Sequence, residues 1–256
     1  MDQAVHPNQA LAERLASALR QDEFVLYGQL IAPLVTVQGA GPFREILIRF
    51  QEEENKLLPP GSFFSILEDS GLMPYLDRWV VNRAVRWIRG RLEVKPDWPV
   101  PHNSINLSAD TLTDRKFAEY AGRHLRAAAL PPGSISFEII CDGALGRIEA
   151  LLALAEQLRP EGCRFILARF DGGDAAQELR RRLRPEFVKL SPGLVRLLAQ
   201  GSAGVERVDE INRDCHARGI KTIAEHVESE RTIEQLRELG VDFAQGFGVE
   251  APQPLA

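Results

Sequence analysis

Residues 165–179 read FILARFDGGDAAQEL. A short apolar run opens the stretch, a Gly-Gly-Asp turn signal interrupts it, and a run with helical spacing follows. A strand that passes through a tight turn straight into a helix is half of a repeating βα unit. An α/β barrel presents its chemistry where such strands end, and acids are the expected residues there. This strand ends instead in Ala168-Arg169.

The same hand-over recurs on both sides of it. Strand-like runs stand at 23–31 (EFVLYGQLI), 45–50 (EILIRF), 103–108 (NSINLS), 135–140 (ISFEII), 164–170 (RFILARF), 186–191 (EFVKLS), 220–225 (IKTIAE) and 241–247 (VDFAQGF). Amphipathic helical runs lie between most of them, at 74–92, 110–130, 143–158, 204–219 and 228–240. Asp110 and Ser229 sit where N-caps belong, and Gly219 and Gly240 where helices close. This alternation predicts an α/β fold, a TIM-like (β/α)8 barrel. The first two strands are joined by APLVTVQGAGPFR, which is too short for a crossover helix and predicts a hairpin, hence an antiparallel first strand. A doubly wound sheet would want a G-x-G-x-x-G turn after the first strand; GGD at 172–174 is the nearest approach. Residues 1–22 read as a helix leading into the barrel, 55–72 as an extra loop with a short helix, and 1–256 as one domain.

The totals exclude several classes. With 36 acidic against 31 basic residues and a net charge of −5, no global basic field points to nucleic acid. The arginines of ELRRRLRP fall on a helical period and read as a solvated face. No apolar run approaches the ~20 residues that span a bilayer, and the N-terminus lacks a signal-peptide pattern. The 3 cysteines, Cys141, Cys163 and Cys215, are isolated, which argues against a disulfide framework or a zinc site and for a cytoplasmic location.

Polar residues collect at the predicted strand ends: Glu45 and Arg49, Asn106, Glu138, Lys189, Glu225 with Glu228 just beyond, and Gln245. A lone buried polar group costs roughly 1–3 kcal/mol unless it is partnered, so one is unremarkable and a ring of them marks a mouth. Several hard oxygens there suit Mg²⁺ or Mn²⁺. Two-metal hydrolysis needs acids that bridge the ions, and the fifth strand offers a methyl group and a guanidinium in their place.

Taken in order, LYGQLI, EILIR, FFSILEDSGL, RWVV, INLSADTL, FEII, KLS, AEHVES and QGFGVEAPQPL resemble the EAL domain family of cyclic di-GMP phosphodiesterases over nearly the whole chain. The resemblance implies a bacterial signalling role. It places metal ligands at Glu45, Asn106 and Glu138, catalytic-mouth groups at Lys189, Glu225 and Glu228, and ligand contacts at Gln29, Glu45, Leu47, Arg49 and Gln245. It also exposes departures. The family's Asp-Asp-Phe-Gly reads Ala168-Arg169-Phe170-Asp171, Lys-Ile-Asp reads Lys189-Leu190-Ser191, Ile140 and Cys141 replace a Thr-Glu pair, and His226 replaces a glycine. The metal shell and the catalytic groups are then vestigial, and no cofactor is expected.

Three functions follow as expectations. The first is a non-hydrolysing cyclic di-GMP receptor. The second is a nucleotide-free module that binds a protein partner; a homodimer is a separate expectation, drawn from the family. The third is a weak phosphodiesterase producing pGpG, needing Mg or Mn and using Asp171 or Asp174 as a substitute ligand. An Arg169 that faces the mouth would pair with Glu45, Glu138 or a ligand phosphate; facing outward, it would do nothing. Arg49 beside Glu45 reads alternatively as a core ion pair.

Overall fold

A computed structural model describes residues 7–35, 41–51, 57–58, 61, 63–95, 99–198 and 201–255. Its strands are β1 (Phe24–Leu30), β2 (Ala32–Pro33), β3 (Phe43–Gln51), β4 (Leu57–Leu58), β5 (His102–Leu107), β6 (Ile135–Ile140), β7 (Arg164–Phe170), β8 (Phe187–Leu190), β9 (Lys221–Ala224), β10 (Phe243–Ala244) and β11 (Gln253–Pro254). They form one sheet in the order β11-β1-β3-β5-β6-β7-β8-β9-β10-β2, with β4 paired to β3.

From β3 through β10 neighbouring strands along this path run parallel, whereas β1 lies antiparallel to β3 from Phe24↔Phe50 to Leu30↔Arg44. The first strand is interrupted at Ile31, whose N–H still donates to Phe43 O. Immediately after it, β2 pairs with β10. One stretch of chain therefore touches both ends of the parallel run and closes the ring of strands. This is the TIM-like barrel with an antiparallel first strand that the hairpin spacing implies.

The helices are α1 (Pro7–Gln21), α2 (Phe64–Asp69), α3 (Met73–Val94), α4 (Ala109–Leu112), α5 (Phe117–Ala128), α6 (Cys141–Ala144), α7 (Ile148–Leu158), α8 (Asp174–Leu183), α9 (Pro192–Leu198), α10 (Ser202–His216) and α11 (Glu230–Glu238). Two predicted helices are each broken in two, at 113–116 and 145–147. Asp110 is not the cap expected of it: it lies in the first turn of α4, and Ser108 caps the helix by accepting from Thr111 N. Ser229 caps α11 in the same way through Thr232 N. Of the predicted N-terminal helix, residues 1–6 lie outside the described residues, as do 55–56, 59–60 and 62 of the predicted loop.

Alternation along each strand sorts residues between the helix-packed outside and the barrel interior. Ile31, Phe43, Ile166, Phe187 and Ile223, with Phe243 against them, plug the interior near the strand starts. The His102 ring stacks on Phe43 with centroids 3.8 Å apart. Burial, with the Arg164 charge, lowers its imidazole to about 3, so it is neutral. Two residues further along the same strands stand Glu45, Ala168, Lys189, Glu225 and Gln245. A polar layer thus rests directly on an apolar plug, because the period is two and the plug residues fix the phase.

Candidate functional site

The polar layer is built around an ammonium group. Lys189 Nζ donates to Glu45 Oε2 at 2.7 Å and lies 2.6 Å from Glu138 Oε2. The lysine is 0 % exposed. Gln245 Nε2 donates to the same Glu45 oxygen at 2.7 Å and to Gln29 Oε1 at 3.0 Å. Asn106 Nδ2 donates to Glu45 Oε1 at 2.6 Å, and Gln29 Nε2 donates to Glu250 O at 3.0 Å. Both oxygens of Glu45 are therefore occupied by protein donors.

The charges respond to this packing. Burial would push the Glu45 carboxyl up, but the Lys189 charge and the three donors bring it below its ordinary value. Glu138 moves the other way, to about 8, through burial and the neighbouring Glu45 carboxylate, with Lys189 opposing. Glu225 is also raised, chiefly by burial. Burial alone would lower Lys189, yet Glu138, Glu45 and Glu225 raise it, so it stays charged.

Above the layer opens a cavity of about 320 Å³, walled by residues from β1, β3, β5, β6, β7 and the turns after β9 and β10. Gln29, Glu45, Leu47, Asn106, Glu138, Glu225, Glu228 and Gln245 all border it. Lys189 lies beneath it, and Arg49 stands off its wall. Arg49 does not form the alternative ion pair with Glu45. Its Nη1 donates to Ile48 O at 2.8 Å, and its guanidinium lies 5.2 Å from the centre of the Tyr27 ring. The strand phase missed three lining residues, His226, Gly246 and Phe247. Phe247 is 74 % exposed, and an aromatic in the glycine-rich turn QGFG was the signal for it. Among the described residues a larger groove of about 720 Å³, bordered by Trp79, Arg83, Arg86 and Trp87, lies outside the barrel along β1 and α3.

Strand β7 is bulged against β8. Leu167 pairs with Val188 and Phe170 with Leu190, so Ala168 and Arg169 together oppose Lys189. Arg169 takes a left-handed φ of 54°, Ala168 is 2 % exposed, and Arg169 is turned out to the exposed rim of the cavity. The pairing of Arg169 with Glu45 or Glu138 does not form, because Lys189 holds both carboxylates from within the barrel.

These donors do not fit the pair of divalent ions that an EAL-like site implies. Among the described residues no three His, Cys, Asp or Glu side chains converge to hold an ion. The ammonium occupies the space between Glu45 and Glu138, and a methyl group and an outward guanidinium stand at the end of β7. The substitutes named from the sequence do not border the cavity. Asp171 Oδ1 accepts from Gly173 N at 2.8 Å, and Asp174 begins α8.

The chain resembles known proteins over almost its full length. Cyclic di-GMP phosphodiesterase PdeB of Shewanella oneidensis is 32% identical over 248 residues, 96% of this chain and 28% of the relative. Cyclic di-GMP phosphodiesterase PdeF of Escherichia coli K12 is 26% identical over 96% of this chain and 32% of its own length. The chain thus spans about a third of the length of these curated relatives. Among solved structures, the FimX EAL domain from Pseudomonas aeruginosa bound to c-di-GMP superposes with a TM-score of 0.87 at 22% identity, covering 98% of both chains. The MucR phosphodiesterase of the same organism, in a c-di-GMP complex, gives 0.83 at 27% identity over 96% of this chain and 98% of that one. No described helix is long and apolar enough to cross a membrane. The family model described as EAL domain matches residues 12–252, so the barrel, its antiparallel first strand and its polar strand ends are those of a member of the EAL domain family.

Proposed function

We propose that this chain is a cyclic di-GMP receptor that binds without metal and does not hydrolyse, serving as a cytoplasmic regulatory module in bacterial signalling. The observation that carries the reading is the bulged end of β7, where a buried Ala168 and an outward Arg169 stand in place of the bridging acids. A pair of divalent ions there would meet a methyl group and an outward guanidinium. Metal-activated water is the nucleophile in two-metal hydrolysis, and this donor set does not generate it.

Recognition of the nucleotide needs no such ion. The cavity offers buried acceptors at Gln245 Oε1 and Glu225 Oε1 that have no hydrogen-bond donor, and these suit the N–H edge of a guanine base. Leu47 and the exposed ring of Phe247 supply apolar surface. Arg49 lies on the same face of β3 as Leu47 and Glu45, two residues beyond the cavity wall. Its guanidinium suits a phosphate by paired hydrogen bonds.

Calorimetry of cyclic di-GMP in EDTA, then in Mg²⁺, with the nucleotide followed by chromatography, tests the proposal. The expected result is binding that EDTA does not change, no pGpG, and a loss of about 1–3 kcal/mol in Arg49→Ala. Mg²⁺-dependent pGpG production abolished by Glu45→Ala would establish the hydrolase. An absence of heat at high nucleotide would favour the nucleotide-free module instead.

A further inference from the structure

The described chain holds non-glycine residues at left-handed φ at Asp22, Ala129, Arg169, Arg184 and His226. Helix termination explains three of them. Asp22 follows the last residue of α1, and Ala129 and Arg184 are the C-caps of α5 and α8, where this conformation is common. The other two end no helix. Arg169 (φ 54°) sits in the β7 bulge and His226 (φ 57°) in the turn after β9, and both line the same cavity.

A side chain with a Cβ in this region is strained where glycine is not. Such strain gathers at functional sites, where surrounding structure holds it. Both positions carry nitrogen donors able to face an anion. Arg169 makes no ion pair or hydrogen bond among the described residues, although arginines elsewhere on this surface are paired with carboxylates. Glu225 and Glu228 oppose an anion from the same wall. The charges of Lys189 and Arg169 already act on Glu225 against the effect of burial.

We infer that Arg169 and His226 form an anion subsite on the rim of the mouth and take a phosphodiester group of the bound dinucleotide. The inference rests on the receptor reading and deepens it. Arg169 becomes the specificity group for phosphate at the place where the strand has lost its acids. The bulge is the device that aims it, since two residues against one on β8 bury Ala168 and lift Arg169 to the rim.

Four proteins titrated with cyclic di-GMP in EDTA at two salt concentrations, each also melted without ligand, test it. They are the unaltered chain, Arg169→Gly, His226→Gly and Arg169→Asn. Glycine relaxes the backbone, so Arg169→Gly and His226→Gly are expected to melt at or above the parent temperature while binding about tenfold to a hundredfold more weakly. Arg169→Asn suits left-handed φ without a charge and is expected to lose affinity equally. Each Arg169 variant should also show a shallower dependence of Kd on salt. A folded Arg169→Gly or Arg169→Asn with parental affinity and salt dependence would overturn the subsite while leaving the receptor intact. If the unaltered chain binds nothing, the receptor reading itself fails, and the subsite with it.

Discussion

At the scale of single residues, Lys189 decides the chemistry of the mouth. An unpaired ammonium in the barrel interior would carry a desolvation penalty of several kcal/mol. Here the Glu45 carboxylate at 2.7 Å offsets it, with the Glu138 carboxyl 2.6 Å away, and Glu45 depends on it in return. Lys189→Met would leave Glu45 buried with amide donors alone, so the expected loss is about 3–5 kcal/mol of stability in urea unfolding. Glu45→Gln in the same chain should recover much of that loss by removing the stranded charge. A single Lys189→Met variant as stable as the parent would show that the interior does not need the ammonium as a counter-ion. The residue types of this layer were readable from the sequence, because Phe43 and Glu45, Phe187 and Lys189, and Phe243 and Gln245 repeat one plug-then-polar step. Their pairing was not readable. Which inward residues meet across the ring depends on strand register, and Arg169 escaped because a bulge reverses the alternation that places everything else.

Elements of secondary structure meet the site through their ends. The β5–α4 turn is held by Asp77 of α3, whose Oδ2 accepts from Ser108 N at 2.9 Å and from Ser108 Oγ at 2.8 Å. This turn follows directly on the strand that carries Asn106. Burial dominates over those hydrogen bonds and raises the Asp77 carboxyl from 3.8 to about 6. The protonated form is thus favoured by folding. Its contribution is full below the unfolded value and is lost as pH rises through about 6, at a cost of about 3 kcal/mol once the group is ionised. Asp77→Asn keeps an acceptor without the charge. It should therefore be more stable than the parent at pH 8, with the advantage shrinking as pH falls to about 4; chemical unfolding across that range checks it. An advantage that stays constant with pH would mean that Asp77 does not titrate differently on folding. Element existence was legible from period and caps, and β6 and β7 fall where they were expected. Strand ends were overread at Ser191, Glu225 and 245–247, where polar and glycine residues leave the sheet although the apolar pattern carries on. The breaks between α4 and α5 and between α6 and α7 were invisible, because helical spacing continues across them.

For the whole molecule, the walls of the mouth come from strands spread between β1 and the turn after β10, and the short β2–β10 pairing joins the two ends of that span. A ligand seated there touches segments more than 200 residues apart in sequence, as Gln245 already does with Gln29. Such a ligand binds only the closed ring, so its binding energy adds to the stability of the whole barrel rather than to one edge. The expected gain follows RT ln(1 + [L]/Kd), about 2.7 kcal/mol at a hundredfold excess over Kd. Trp79 and Trp87 on α3 lie in the groove outside the barrel, away from the mouth. Their fluorescence should nevertheless report the full shift in one cooperative urea transition when cyclic di-GMP is added, and EDTA should leave that shift unchanged. Because Lys189 already neutralises Glu45 from inside, Mg²⁺ alone should move the midpoint little. A midpoint raised by Mg²⁺ without nucleotide would return the site to metal chemistry. A tryptophan transition that ignores bound nucleotide would show that the mouth and the outer helices unfold as separate units.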